Sequence, residues 1–165
     1  MLTKIEEINK AMDKIMDEWE RDNKLDLSDL GTEINRRLKL HAKYLRYLND
    51  TRRSLAILNK AKTVLMAEKL KMLREGPSKD AWKADKSKID KFLSHYPQDG
   101  KRISSNERNQ YINSDDDIVN LEQIIDSYQE IKDNLIEIIK QINSMNYTIR
   151  DAIEIKKFEN GYGGG

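Results

Sequence analysis

Cysteine is absent from this 165-residue chain, which excludes disulfides and thiolate zinc sites and is compatible with a reducing cytoplasm. Proline and glycine are scarce, at two and seven residues, so the chain has little material for tight turns and suits long exposed helices. No run of about 18 apolar residues occurs, which argues against a membrane-spanning helix. The opening from Met1 to Trp19 carries acids every few residues and lacks the apolar stretch of a signal peptide, so a soluble protein is expected. Histidines number two, His41 and His95, in separate segments. Neither the serine-hydrolase elbow, the zinc-protease helix motif nor a phosphate loop is found, and the glycines from Gly161 to Gly165 precede no Lys-Ser/Thr pair. The expectation is a protein that is not an enzyme and needs no metal or cofactor.

What the chain does have is charge, sorted by sign. Between Arg36 and Arg74 lie twelve Lys or Arg and two acids, Asp50 and Glu68, while the whole protein carries a net charge of +1. From Asn113 to Glu137 there are eight acids and one base, Lys132, and residues 1–33 hold ten acids against five bases. A basic rod and an acidic rod are the natural reading, with a polyanion or an acidic partner expected for the first.

The pattern of apolar residues predicts an all-α, elongated protein: two long helices in coiled-coil-like packing, a shorter N-terminal helix and an irregular segment over 78–113. Along the chain this gives an N-terminal helix in 1–24, a long basic helix region in 28–76, a short helix and loop in 77–113, a long assembly helix in 114–160 and a flexible tail in 161–165, one domain overall. The first helix shows Leu2, Ile5, Ile8, Met12, Ile15, Met16 and Trp19 on one face. Ser28 or Asp29 caps the second, whose seam reads Leu30, Ile34, Leu38, His41, Leu45, Leu48, Arg52 and Leu55, with a candidate kink at Asn49–Asp50 and a stop at Gly76–Pro77. A short helix is expected from Ser78 to about Leu93, after which the pattern fades through Asn113. The last helix starts at Ser114 or Asp115 and ends at Gly161. Its seam reads Ile118, Leu121, Ile125, Tyr128, Leu135, Ile139, Ile142, Ile149 and Ile153. Eleven isoleucines between Ile118 and Ile155 are too many β-branched residues to be explained by helix propensity, and point to packing against a helix of the same chain or of another subunit.

The run Asp115–Asp116–Asp117 suits the positive end of a helix dipole better than a magnesium site. The basic helix is less easily read as a solvated face, because such faces mix signs four residues apart. Lys60, Lys62, Lys69, Lys71 and Arg74, with Arg52 and Arg53 before them, are the candidate contacts to a phosphate backbone. Tyr44 and Tyr47 stand among the bases, where stacking on unpaired bases of a single strand competes with ordinary helix packing. No motif for reading base sequence is present, so binding is expected to depend on salt far more than on sequence.

Three stretches carry a resemblance. They are Trp19-Glu20-Arg21-Asp22-Asn23-Lys24-Leu25-Asp26, the basic run from His41 to Gly76 beginning His-Ala-Lys-Tyr-Leu, and the helical stretch from Ile142 through Tyr147, Ile149, Ile153 and Ile155 to Phe158. Together they resemble the UvsY-type recombination mediator proteins of T-even-like phages over nearly the full length, the C-terminal stretch most specifically. The resemblance implies a ring-like homo-oligomer, hexameric or heptameric, in the cytoplasm of an infected bacterial host. It implies a protein that binds single-stranded DNA, displaces the phage single-strand-binding protein and loads the phage recombinase, in homologous recombination, repair and recombination-dependent replication. It places DNA contacts in the basic tail of the second helix, with Lys62 and Lys69 on basic positions, and assembly in the C-terminal helix, where Leu135, Ile139, Ile142, Ile149, Ile153 and Phe158 are the candidates. The chain departs from the family pattern at Ala67, where a base is found, at Met145, where Arg is usual, and at Ile155, where an aromatic or Met is usual. The helix before Trp19 is longer than usual. The alternative is a helical coiled-coil scaffold in which the basic and acidic helices pair with each other and bind no nucleic acid.

Overall fold

The computed structural model describes residues 2–75 and 104–162. Among the described residues it holds four helices and no strand: α1 over Leu2–Asp22, α2 over Leu30–Glu75, α3 over Ser105–Asn113 and α4 over Asp116–Tyr162. The fold is all-α. The expected helix from Ser78 to Leu93 and the stop at Gly76–Pro77 lie outside the described residues.

Helix α3 corrects the reading of an irregular stretch up to Asn113. Ser104 accepts the Glu107 backbone N–H while the Glu107 carboxylate accepts that of Ser104 (3.2 and 2.9 Å), a reciprocal pair that satisfies donors a helix start otherwise leaves open. The signal was in the sequence as Ser followed three residues later by Glu, without the apolar periodicity that usually draws attention to a helix. Helix α4 runs through Gly161 to Tyr162 rather than stopping at the glycine. A helical glycine costs about 1 kcal/mol against alanine, which weakens a last turn without forbidding it.

The chain divides into two compact units, one formed by Ala56–Asp126 and the other by Leu2–Leu55 with Ser127–Gly165. In the second unit, α1, the first part of α2 and most of α4 share a core. Ile8 and Trp19 from α1, Leu40, Tyr44, Leu48 and Leu55 from α2, and Ile131, Leu135, Ile138, Ile142 and Ile149 from α4 are buried there. Along α4 these fall in two seven-residue series, 131–138 and 135–142–149, so the seam that omitted Ile131 and Ile138 was half of a heptad pattern. In the first unit Ile112 of α3 and Ile118 and Ile124 of α4 are buried.

The seam of α2 also needs correction. Its buried residues are Glu33, Arg37, Leu40, Tyr44, Leu48, Thr51 and Leu55, whereas Ile34, Leu38 and Leu45 are 38%, 63% and 38% exposed and Arg52 faces solvent. Two charged residues hold core positions because their bonds close inside the protein. Glu33 accepts from Arg37 Nε (2.7 Å) and from Arg36 Nη2 and Nε (both 2.8 Å). Arg37 Nη2 then donates to the carbonyls of Lys24 (2.9 Å) and Asn23 (3.3 Å), and Arg36 to those of Asp22 (3.0 Å) and Lys24. The two guanidinium groups therefore close the C-terminal end of α1, where unpaired carbonyls and the negative end of the dipole favour cations. Arg37 also donates to the sulfur of Met145. An Arg at 145, usual in the family pattern, would set two cations together here.

Candidate nucleic-acid interface

The basic residues of α2 start as twelve and are sorted by their surroundings. In the unit of Leu2–Leu55 and Ser127–Gly165, Arg36, Arg37 and Lys43 are drawn inward. Lys43 Nζ bridges Glu18 (2.7 Å) and Asp22 (2.8 Å) and lies 5.1 Å from the centre of the Tyr44 ring. Tyr44 is fully buried, edge-on to Trp19 at 5.5 Å, and its hydroxyl donates to Asp22 (3.0 Å). It is a core residue and cannot stack on a nucleic-acid base. Tyr47 donates to Glu18 (3.2 Å) and sits edge-on to Tyr44 at 6.0 Å. The Trp19 and Asp22 of the N-terminal motif, one helical turn apart, thus act as a clamp on α2: the indole packs on Tyr44 and the carboxylate holds its hydroxyl and Lys43.

Arg52 and Arg53 are exposed, the latter 79% at its side chain with Asp50 at 3.3 Å, and Lys39 and Arg46 are exposed too. In the unit of Ala56–Asp126, Lys62 pairs with Glu122 (2.6 Å). Lys69 binds both Asp115 and Asp117, the latter at 2.8 Å, and only 11% of its side chain is exposed. Asp115 is buried, accepts the Asp117 N–H (2.9 Å) and offers its own carbonyl to Ile118 and Val119, so it caps α4 while holding Lys69. Lys60 and Lys71 are exposed, and Arg74 stands in the last turn of α2. Lys60 borders an open groove whose other walls are Ile57, Ala61, Val64, Leu65 and Glu68. The structure thus separates Lys62 and Lys69, held by carboxylates, from Lys60 and Lys71, which face water. Lys39 and Arg46 escaped the sequence reading; their signal is a seven-residue spacing shared with Arg53 and Lys60.

The assembly candidates divide in the same way. Leu135, Ile142 and Ile149 are buried in the chain's own core, Ile139 and Ile153 are half-buried, and Phe158 is 64% exposed. Among the described residues no cluster of His, Asp or Glu could hold a metal ion, and no helix is long and apolar enough to cross a membrane.

The clamp makes stability sensitive to acid. The hydrogen bond from Lys43 holds the Glu18 carboxyl below its ordinary range. For Asp22 and Glu33 burial pushes upward, but hydrogen bonds from Lys43 and Tyr44, and from Arg36 and Arg37, outweigh it and leave both lowered. Burial pulls the Lys43 ammonium down while its two carboxylate partners raise it further, so it stays charged. Groups whose folded pKa is depressed stabilise the fold above their unfolded values, and that stabilisation is lost as pH falls through the folded values. Urea midpoints are therefore expected to hold from pH 7 to about 5 and then to fall below the ordinary carboxylate values of 4.5 and 3.8. Asp22→Asn should show a smaller fall; an identical acid profile for that variant would remove Asp22 from the account.

Residues 18–162 match the family described as "Recombination, repair and ssDNA binding protein UvsY". The fold is similar to the crystal structure of the bacteriophage T4 recombination mediator protein UvsY, with a TM-score of 0.65 at 15% identity, over 90% of this chain and 98% of that one. Among curated proteins none matches.

Proposed function

The chain belongs to the UvsY family of recombination, repair and single-stranded-DNA-binding proteins, and from that premise we propose that it is a recombination mediator that binds single-stranded DNA through α2. Its role lies in phage recombination and repair. In the proposed mechanism the protein catalyses no reaction and needs no cofactor. It holds a DNA strand by its phosphates, helps displace the single-strand-binding protein, and presents the strand to the phage recombinase in the cytoplasm of the infected host.

The observation that carries this reading is the pair Lys60 and Lys71, exposed on α2 within the matched region, with Lys60 on the rim of a mostly apolar groove lined by Ile57, Ala61, Val64 and Leu65, with Glu68 also on its wall. Phosphates meet the ammonium groups while unstacked bases rest on the apolar floor. Lys62, Lys69 and Arg74 remain part of the proposed site. Lys62 and Lys69 reach a phosphate by exchanging Glu122, Asp115 and Asp117 for it, which limits their share of the affinity. Arg52 and Arg53 add exposed charge. Ring-like self-association, also proposed, has Phe158, Ile155 and Leu38 as exposed apolar residues, at 64%, 59% and 63%.

The test is fluorescence anisotropy of a labelled thymidine oligomer at several salt concentrations. Affinity is expected to fall steeply with salt. Lys60→Ala/Lys71→Ala should weaken binding and flatten the slope of log K against log salt by about 1.4 per engaged protomer, at about 0.7 per phosphate contact. Lys62→Ala/Lys69→Ala should do less. The scaffold reading draws on the same ion pairs, since the basic and acidic helices do meet through Lys62 and Lys69. Absence of binding at low salt would overturn the DNA-binding reading and put the scaffold reading in the lead.

A further inference from the structure

We propose that a second phosphate-binding surface lies on the first part of α2, formed by Lys39, Arg46 and Arg53. The three are seven residues apart, which puts them on one face at a rise of about 10.5 Å each. That face is turned away from the core. At 100° per residue, Arg46 stands about 200° around the helix from fully buried Tyr44, and Lys39 and Arg53 fall within about 20° of Arg46. All three are exposed. Among the described residues neither Lys39 nor Arg46 has an ion-pair partner, and Arg53 meets only the exposed Asp50 at 3.3 Å, a kind of pair that contributes little.

The residues between them matter as much. Ala42 and Asn49 flank this face with short uncharged side chains, and Asp50, about 40° from Arg46, is the acid beside it, paired with Arg53. The bases outside this lane that carry inward bonds, Arg36, Arg37 and Lys43, are committed to Glu33, Glu18 and Asp22. The acids of this unit thus neutralise the inward-facing bases and leave Lys39, Arg46 and Arg53 on one face, with Arg52 beside it, facing water. A purely solvated face would gain from alternating signs. Three bases at seven-residue spacing against a single acid, Asp50, fit a flexible polyanion that tracks along the helix, and the ligand class is the phosphate backbone of a single DNA strand.

This inference rests on the DNA-binding reading above and shares Arg53 with it, whereas Lys39 and Arg46 are new and all three lie in the other compact unit. The experiment compares wild type, Lys39→Ala/Arg46→Ala/Arg53→Ala, Lys60→Ala/Lys71→Ala and the charge-keeping Lys39→Arg/Arg46→Lys/Arg53→Lys. Each is titrated on the same labelled thymidine oligomer across salt, after far-UV circular dichroism and urea unfolding confirm an unchanged fold. The triple alanine variant is expected to bind at least about tenfold more weakly at low salt and to lose about 2 from the salt slope per engaged protomer, at about 0.7 per contact. The charge-keeping variant should retain both. If wild type binds, the lysine pair weakens binding and the triple variant does not, the second surface is overturned and the mediator reading stands. If wild type does not bind, both fall together.

Discussion

Glu33→Ala is expected to destabilise the protein by about 3–5 kcal/mol, the usual cost of stranding one member of a buried ion pair. Arg37 is the member left behind. Its side chain is 1% exposed and its Nε points at the Glu33 carboxylate from 2.7 Å. Water cannot replace that partner, and the guanidinium is left with a buried, uncompensated charge. Arg36 is 34% exposed at its side chain and can turn to solvent, so most of the penalty comes from Arg37. The measurement is urea unfolding followed by circular dichroism, with all variants at one protein concentration, since self-association would couple stability to concentration. A loss below about 1 kcal/mol would mean that Arg37 finds another partner and that the pair is not the lock described here. Glu33→Met/Arg37→Leu provides the control. Removing both charges avoids the stranded cation, so its cost should fall to about 2 kcal/mol or less, mainly from the Asn23 carbonyl, which loses its side-chain donor, while that of Lys24 keeps Arg36.

Tyr44→Ala should cost about as much, roughly 3–5 kcal/mol, for a different reason. The ring is fully buried and edge-on to both Trp19 and Tyr47, at 5.5 and 6.0 Å, so truncation opens a cavity at the meeting of α1 and α2 that neither ring can fill without losing the other contact. Burial, and then the hydrogen bond to Asp22, push the Tyr44 phenol pKa far upward, so the group remains a neutral donor over any accessible pH. Tyr44→Phe keeps the ring and removes only that bond. Asp22 retains Lys43 at 2.8 Å, so the expected loss is about 1 kcal/mol. The pair separates packing from hydrogen bonding. Equal losses for the alanine and phenylalanine variants would mean that the Asp22 bond, and not the ring, holds α1 to α2.

Both predictions concern residues that the sequence placed elsewhere. The apolar pattern of α2 put Ile34, Leu38 and Leu45 on the seam, yet the buried line runs one position earlier, through Glu33, Arg37 and Tyr44. Periodicity weighs side chains by their cost in water. A glutamate, an arginine and a tyrosine hydroxyl lose that cost when each finds its partner: Glu33 finds Arg36 and Arg37 on its own helix, while Arg37 and Tyr44 find Asn23, Lys24 and Asp22 outside it. The displaced leucines then stand on a flank of the helix. In α4, by contrast, Leu135, Ile142 and Ile149, read as a seam facing a helix of the same chain or of another subunit, are buried within the chain, because a run of isoleucine and leucine without competing polar partners leaves one low-cost arrangement. What was missed there, Ile131 and Ile138, is the second line of the same heptad. Helix α3 was missed for the opposite reason: its start is set by a polar cap and not by an apolar face.

By itself the sequence determined that the protein is helical, where the long helices run, that positive charge concentrates on α2, and which family it belongs to. Those properties depend on composition, spacing and motif, which are local or additive along the chain. The tertiary structure decided which of the charges remain available. Lys62 and Lys69 look the same as Lys60 and Lys71 in a linear reading, and only the arrival of Glu122, Asp115 and Asp117 from about fifty residues or more further along distinguishes them. Likewise Lys43 is drawn inward by the Glu18 and Asp22 carboxylates, and Arg37 by the Asn23 and Lys24 carbonyls, while Lys39 and Arg46 are left exposed, because those partners come within about 3 Å only once the helices have packed.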